Sequence, residues 1–193
     1  MPVAFIVAFL IGVTAVLLWR RSRRRPLVIR SPRFGILNLK GPTAEPLIAA
    51  DIEALTPVLG VPVRGLALTP FCDVLFLYCD IDSNGGIGNG SGTLRDLIAK
   101  LRAPLVVVAS ENSGDAYIAS TKGQTHGRAN LVMTLSRRGE AFPTFFVQLF
   151  KDMKKGTSMP MAWVKQAPQG PTKKHESLPS TIFACEAEQL VFR

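Results

Sequence analysis

Residues 73–92 read DVLFLYCDIDSNGGIGNGSG, and residues 93–109 continue TLRDLIAKLRAPLVVVA. The first stretch opens with a continuous apolar run, the pattern of a strand covered on both faces. It then breaks into a loop rich in Gly, Asn and Ser, where extended structure ends. Thr93 stands at the position of a helix N-cap before TLRDLIAKLR, a helix expected to end near Arg102. Residues 104–109 (PLVVVA) form a second buried strand. Strand, loop, helix and strand in about 35 residues describe one βαβ unit, which needs a parallel sheet.

The pattern extends in both directions. Residues 34–40 (FGILNLK) predict a first strand, closed by Gly41 and Pro42. Residues 45–59 carry Leu47, Ile48, Ile52, Leu55 and Leu59 at helical spacing, with Pro57 expected to bend or end that helix early. Residues 61–68 read as an edge-like strand. Residues 115–121 suggest a short helix, and 129–135 (ANLVMTL) a further strand. Residues 141–155 form an amphipathic helix whose Phe142, Phe145, Phe146, Leu149, Phe150 and Met153 make a wide apolar face directed at the core. Gly156 caps it. A shorter helical turn follows at 161–166, then a Pro/Gly/Lys-rich loop at 167–179, and one or two strands over 181–192. The fold class is α/β, a mainly parallel sheet with helices on both faces.

In front of this domain, residues 2–19 (PVAFIVAFLIGVTAVLLW) contain no charge. As a helix they would span roughly 27 Å, close to the hydrocarbon thickness of a bilayer. Trp19 falls at the interface, and Arg20, Arg21, Arg23, Arg24 and Arg25 follow it. A cleaved signal peptide would instead place its basic residues before the apolar run. The organisation expected is a transmembrane helix at 1–19, a basic juxtamembrane linker at 20–33 and a soluble α/β domain at 34–193. The arginines place the N-terminus outside and the domain on the cytoplasmic side of the cell (inner) membrane. They are also candidates for contact with anionic headgroups.

The net charge of +9 follows from the same segment. Eight of the 23 basic residues lie at or before Lys40, with no acidic residue among them. The remaining 15 face 14 acidic residues, so the rest of the chain is nearly neutral. That argues against a nucleic-acid partner. The bilayer, through residues 2–19, is the expected partner, with a protein partner or oligomer beside it. Hydrophobic residues at 47% and charged residues at 19% indicate a folded chain. Cys72, Cys79 and Cys185 have neither disulfide-framework nor zinc spacing, and Cys79 and Cys185, inside apolar runs, read as small buried reduced thiols.

Chemistry belongs at the carboxyl ends of the strands in such a sheet. Two polar loops leave the two best strands there. The first carries Asp80, Asp82 and glycines that include Gly85 and Gly86, whose N–H groups are candidates for holding an anion or small ligand. It lacks the GK[ST] ending of a phosphate loop and the spacing of a dinucleotide fingerprint. The two carboxylates alone do not define a metal site, and no cofactor is indicated. The second loop carries Ser110, Glu111, Ser113 and Asp115. Ser110 and Ser113 are the candidate nucleophiles and His126 the candidate base. There is no GxSxG elbow.

Three stretches resemble the caspase-hemoglobinase fold, in particular its bacterial CHAT domains: EPLIAADIEALTPVLG, DVLFLYCDIDSNG with PLVVVASENSG, and GEAFPTFFVQLFKDMKKGTSMPMAWVKQAP. In that family the two central strands end in a catalytic His-Gly and an Ala-Cys. Here those places read Ser83-Asn84-Gly85 and Ala109-Ser110. The resemblance therefore implies a pseudoenzyme, a non-catalytic domain for binding or assembly at the membrane. A second, local similarity is to signal peptide peptidase A and its ClpP-like relatives. DIDSNGG is similar to their I-D-S-P-G-G turn, and residues 113–120 (SGDAYIAS) to their S-G-G-Y-Y-I-A-S segment. This alternative implies a membrane-anchored serine peptidase with Ser113 as nucleophile and the Gly85 and Gly86 amides as oxyanion hole. Asn84 replaces the expected proline, and no G-S-I-G-V run or matching lysine follows.

Overall fold

The computed structural model describes residues 27–63, 71–88, 90, 92–110, 130–134, 139–166, 179–184 and 190–193. The apolar stretch 2–19 and the arginines at 20–25 lie outside them. Among the described residues, no helix is long and apolar enough to cross a membrane.

The elements are β1 (Leu27–Ile29), β2 (Phe34–Asn38), α1 (Glu45–Leu59), β3 (Val74–Tyr78), α2 (Leu94–Lys100), β4 (Leu105–Ala109), β5 (Asn130–Thr134), α3 (Ala141–Lys154), α4 (Met159–Gln166), β6 (Pro179–Ala184) and β7 (Leu190–Phe192). The main sheet runs β2-β3-β4-β5-β6. Its first four strands are parallel and β6 is antiparallel to β5. β1 and β7 form a separate parallel pair, with Leu27 opposite Leu190.

β3 and β4 are buried along their whole length. Alternate residues serve opposite faces, as the two-residue period of a strand requires. Val74, Phe76 and Tyr78 meet α1, α3, α4 and the β1–β7 pair. Leu75, Leu77 and Cys79 meet α2. Helices thus cover both faces, which is why these two strands carry no polar alternation. Phe76 is the hub of the first face. Its ring meets Phe34 at 6.3 Å, Phe142 at 6.4 Å, Phe146 at 5.4 Å and Phe150 at 6.3 Å, all edge to face. That geometry sets the positive edge of one ring on the negative face of another.

Several boundaries differ from the sequence reading for identifiable reasons. β2 stops at Asn38 rather than residue 40, because the Asn38 side chain takes over local hydrogen bonding. Its Oδ1 accepts from the Lys40 N–H at 3.0 Å, and its Nδ2 donates to the Gly41 carbonyl at 2.9 Å and to Glu45 Oε1 at 2.8 Å. α1 continues past Pro57 to Leu59. Pro57 sits in the last turn, where few amides remain to be interrupted. The Gly60 N–H closes on the Thr56 carbonyl at 2.9 Å, with φ +82 at the glycine. α4 begins at Met159, two residues earlier than read.

The largest correction concerns the linker at 20–33. Leu27–Ile29 is a strand of the domain, held by β7 and locked by Ser31 N–H to the Arg193 carbonyl at 3.0 Å and Arg193 N–H to the Ile29 carbonyl at 2.9 Å. The folded unit therefore includes at least Leu27 onward. The C-terminal stretch supplies two strands in two different sheets. Of the edge-like strand at 61–68, only Val63 is described as paired, in a parallel bridge to Gly35. The short helix at 115–121 lies outside the described residues.

Replacing Phe76 by alanine removes four ring contacts from a site with no room to collapse. The unfolding free energy should fall by about 3–5 kcal/mol, read by urea denaturation.

Candidate functional site

The Val63 bridge lies on the side of β2 away from β3, since Gly35 also pairs with Leu75. The chain therefore leaves β2 outward through α1, then returns past β2 to lay down β3, β4 and β5 in the other direction. The winding reverses between β2 and β3. At such a reversal the connections on either side part to opposite faces and open a crevice at the strand carboxyl ends.

The residues bordering that point are Lys40, after β2, and Asp80, after β3. Lys40 Nζ lies 2.8 Å from Asp80 Oδ1. The Leu39 N–H donates to the Tyr78 carbonyl at 2.8 Å, which carries the strand pairing up to the rim. Asp80 is mostly exposed and Lys40 largely covered, with side chains 61% and 23% accessible. The pair is thus a surface contact worth at most about 1 kcal/mol, with one carboxylate oxygen turned to solvent.

The loop after Asp80 is closed on itself. Asp82 Oδ1 accepts from the Asn84 N–H and the Gly86 N–H, each at 2.8 Å. The Gly85 N–H donates to the Asp82 carbonyl at 3.0 Å, and the Asp82 N–H to the Gly86 carbonyl at 2.9 Å. A Cβ on Gly86 would stand 2.5 Å from Asp82 Oδ2, so the carboxylate would have to shift to admit a side chain there. The Leu94 N–H donates to the Gly85 carbonyl at 2.9 Å, and Thr93 Oγ1 accepts from the Asp96 N–H at 3.1 Å. Thr93 is the N-cap that the sequence predicts, and it ties the loop to the start of α2.

This geometry bears on each candidate. The Gly85 and Gly86 amides point into the turn and are already used by Asp82. The Asp80 and Asp82 carboxylates face different partners, Lys40 and the turn amides. Among the described residues no group of three His, Cys, Asp or Glu could hold a metal ion. Ser110 follows β4 directly and is fully buried. Ser113 and His126 lie outside the described residues.

The sequence reading missed a buried polar contact behind the site. Tyr78, the last residue of β3, donates its hydroxyl to Asp51 Oδ2 of α1 at 2.7 Å, and both side chains are fully buried. Asp51 sits one residue from Ile52 in an otherwise apolar helical stripe. That break in the stripe was the available signal.

Two buried thiols flank β3, Cys72 before its amino end and Cys79 beneath the carboxyl rim. Burial, and then the neighbouring Asp80, push the Cys79 thiol up to about 12, against a smaller opposing effect of Lys40. Burial and Asp73 push Cys72 up to about 11, with Arg33 and a backbone hydrogen bond from Gly35 opposing. Both are held as neutral thiols and are poor nucleophiles at neutral pH.

No family model and no curated protein sequence matches the chain.

Two outcomes follow from this geometry. Gly86→Ala should destabilise the domain by about 1–3 kcal/mol, the usual range for overpacking. In an Asp82→Ala background the added penalty should largely vanish, and a double-mutant cycle measures that coupling. The thiols supply the second. Their protons are retained in the folded chain up to about pH 11 and 12 but released from about pH 9 in the unfolded one. Stability should therefore be intact below pH 9 and decline as pH rises through that window. Cys79→Ala should flatten the decline in a urea-midpoint titration.

Proposed function

We propose that this chain is a single-pass membrane-anchored protein whose α/β domain is of the caspase-hemoglobinase type and serves binding or assembly rather than catalysis. Residues 2–19 are the anchor, with the N-terminus outside and the domain at the inner face of the cell membrane. The strand order supports the fold assignment: an outward turn through α1 to a bridge beyond β2, then β3, β4 and β5 in succession.

The observation that carries the non-catalytic reading is the state of the two dyad positions. The first is the turn Ser83-Asn84-Gly85, closed by Asp82. The second is Ser110, fully buried at the end of β4. A nucleophile needs exposure and a base beside it; among the described residues Ser110 is buried and the Gly85 and Gly86 amides are already engaged. The rim supplies instead a preformed loop and a half-satisfied Asp80, features suited to docking a polar partner.

The alternative, a serine peptidase acting through Ser113, requires the Gly85 and Gly86 amides to face a substrate oxygen. Their engagement by Asp82 weighs against it. A fluorophosphonate probe applied to the full chain decides between the readings. No adduct is expected on any serine. An adduct on Ser113 that disappears in Ser113→Ala would overturn the binding reading in favour of the peptidase.

A further inference from the structure

The described residues are sorted by charge along the strand direction. Helices that cross over in a parallel sheet run opposite to the strands, so their C-termini lie at the amino edge of the sheet. Lys100 and Arg102 follow α2 to that edge, and Lys151 and Lys155 mark the same end of α3; all four are exposed. Placement of α3 is fixed by the Lys154 ammonium, which donates to the Val58 carbonyl at the end of α1. Basic residues at helix C-termini are ordinary, since they oppose the helix dipole. Arg30, Arg33 and Arg193 are on no helix, however, and are gathered at this edge by backbone hydrogen bonds. Arg193 is bonded to Ile29 and Ser31, and the Arg33 carbonyl accepts from Asp73 and Val74.

Two large apolar side chains stand exposed at the same edge. Phe71 is 67% accessible, with the Arg33 guanidinium 5.1 Å from its ring centroid. Val61 is 82% accessible and lies two residues before the Val63 bridge, level with the start of β2. Arginines interleaved with exposed apolar groups suit a bilayer interface, where the cations meet phosphates and the apolar groups enter the headgroup layer. The opposite edge, about 17 Å away for five-residue strands, carries Glu45, Asp80, Asp82, Asp96 and Glu140 against Arg95 and Lys40, so its described residues are net acidic. An anionic surface would repel it.

We propose that the amino edge of the sheet, centred on Arg30, Arg33, Arg193 and Phe71, is a docking surface for an anionic lipid bilayer, which turns the Asp80–Gly92 loop away from the membrane. The inference rests on the anchored reading above. Chain length supports it: residues 20–26 separate Trp19 from β1 and cannot reach beyond about 30 Å even fully extended. The domain therefore stays beside the headgroups, and the edge that is attracted to them faces them. Two acidic groups of the described residues lie near this edge: Asp73, which accepts from the Arg33 N–H at 2.9 Å and lies 4.0 Å from Arg33 Nε, and the buried Asp152, which accepts from Gln166 Nε2 at 2.9 Å.

The test is arginine labelling by phenylglyoxal on the full chain in lipid nanodiscs, read by mass spectrometry. Discs of phosphatidylcholine are compared with discs containing phosphatidylglycerol. Labelling of Arg30, Arg33, Arg102 and Arg193 should drop several-fold in the anionic discs, while Arg95, at the other end of α2, should be unchanged. Arg30→Glu with Arg193→Glu should restore labelling of Arg33. Equal labelling of all five arginines in both discs, with the chain still embedded, would overturn the docking surface and leave the anchor standing. If alkaline carbonate strips the chain from membranes, the anchor reading falls instead. Weaker retention of the Arg30→Glu, Arg193→Glu chain than of the unmodified chain on anionic vesicles at low salt then upholds the edge, and equal retention overturns it.

Discussion

The structure depends on a strand that has no solvent face. β3 lies between β2 and β4, and each of its five side chains is buried. Phe76 projects into one layer and gathers Phe34, Phe142, Phe146 and Phe150 around it. Leu75 and Leu77 project into the other, against the apolar side of α2. Covering both faces keeps charge off the strands, because a buried unpaired charge costs more than the core can return. Charged side chains are left to the solvent faces of the helices and to the two rims of the sheet.

The carboxyl rim shows how a sequence that looks reactive can be folded into a structural device. A carboxylate, several glycines and a polar loop after a buried strand are the materials of an anion or oxyanion site. Asp82 turns them inward. By accepting from Asn84 and Gly86 it fixes the loop, and the loop in turn hands the Gly85 carbonyl to the first turn of α2. The Asp51–Tyr78 contact performs a related task deeper in the layer, joining α1 to the last residue of β3 at the point where the strands part. Fully buried polar pairs of this kind fix register more than they add stability.

Among the described residues the two rims differ in sign. The crossover geometry is responsible: strands and helices run in opposite directions, so basic helix C-termini and acidic helix N-termini segregate to opposite ends. From Leu27 onward 18 basic residues face 14 acidic ones, and the modest net charge of +4 understates this separation. In the proposed docking, opposite rims of opposite sign would act as an orienting couple without requiring a large interface.

The local elements were legible in the sequence because local rules make them. The unbroken apolar run before Cys79 announced a central strand, Thr93 announced a helix start, and the Phe-rich stripe announced the helix that covers Phe76. The apolar run of residues 2–19 and the arginines after it are likewise a statement of the sequence alone. Tertiary structure decided the remainder. Leu27–Ile29 is a strand only because Leu190–Phe192 returns to pair with it, a partnership across the whole chain that no local pattern encodes. Asn38 ends β2 early because its amide reaches Gly41 and Glu45 at once. The candidate glycine amides were visible as residues, but whether they faced a ligand or a neighbour depended on where the Asp82 carboxylate settled. The placement of basic and acidic groups at the two ends of the sheet likewise follows from how the helices run against the strands, whereas the proposed anchor at residues 2–19 rests on the sequence alone.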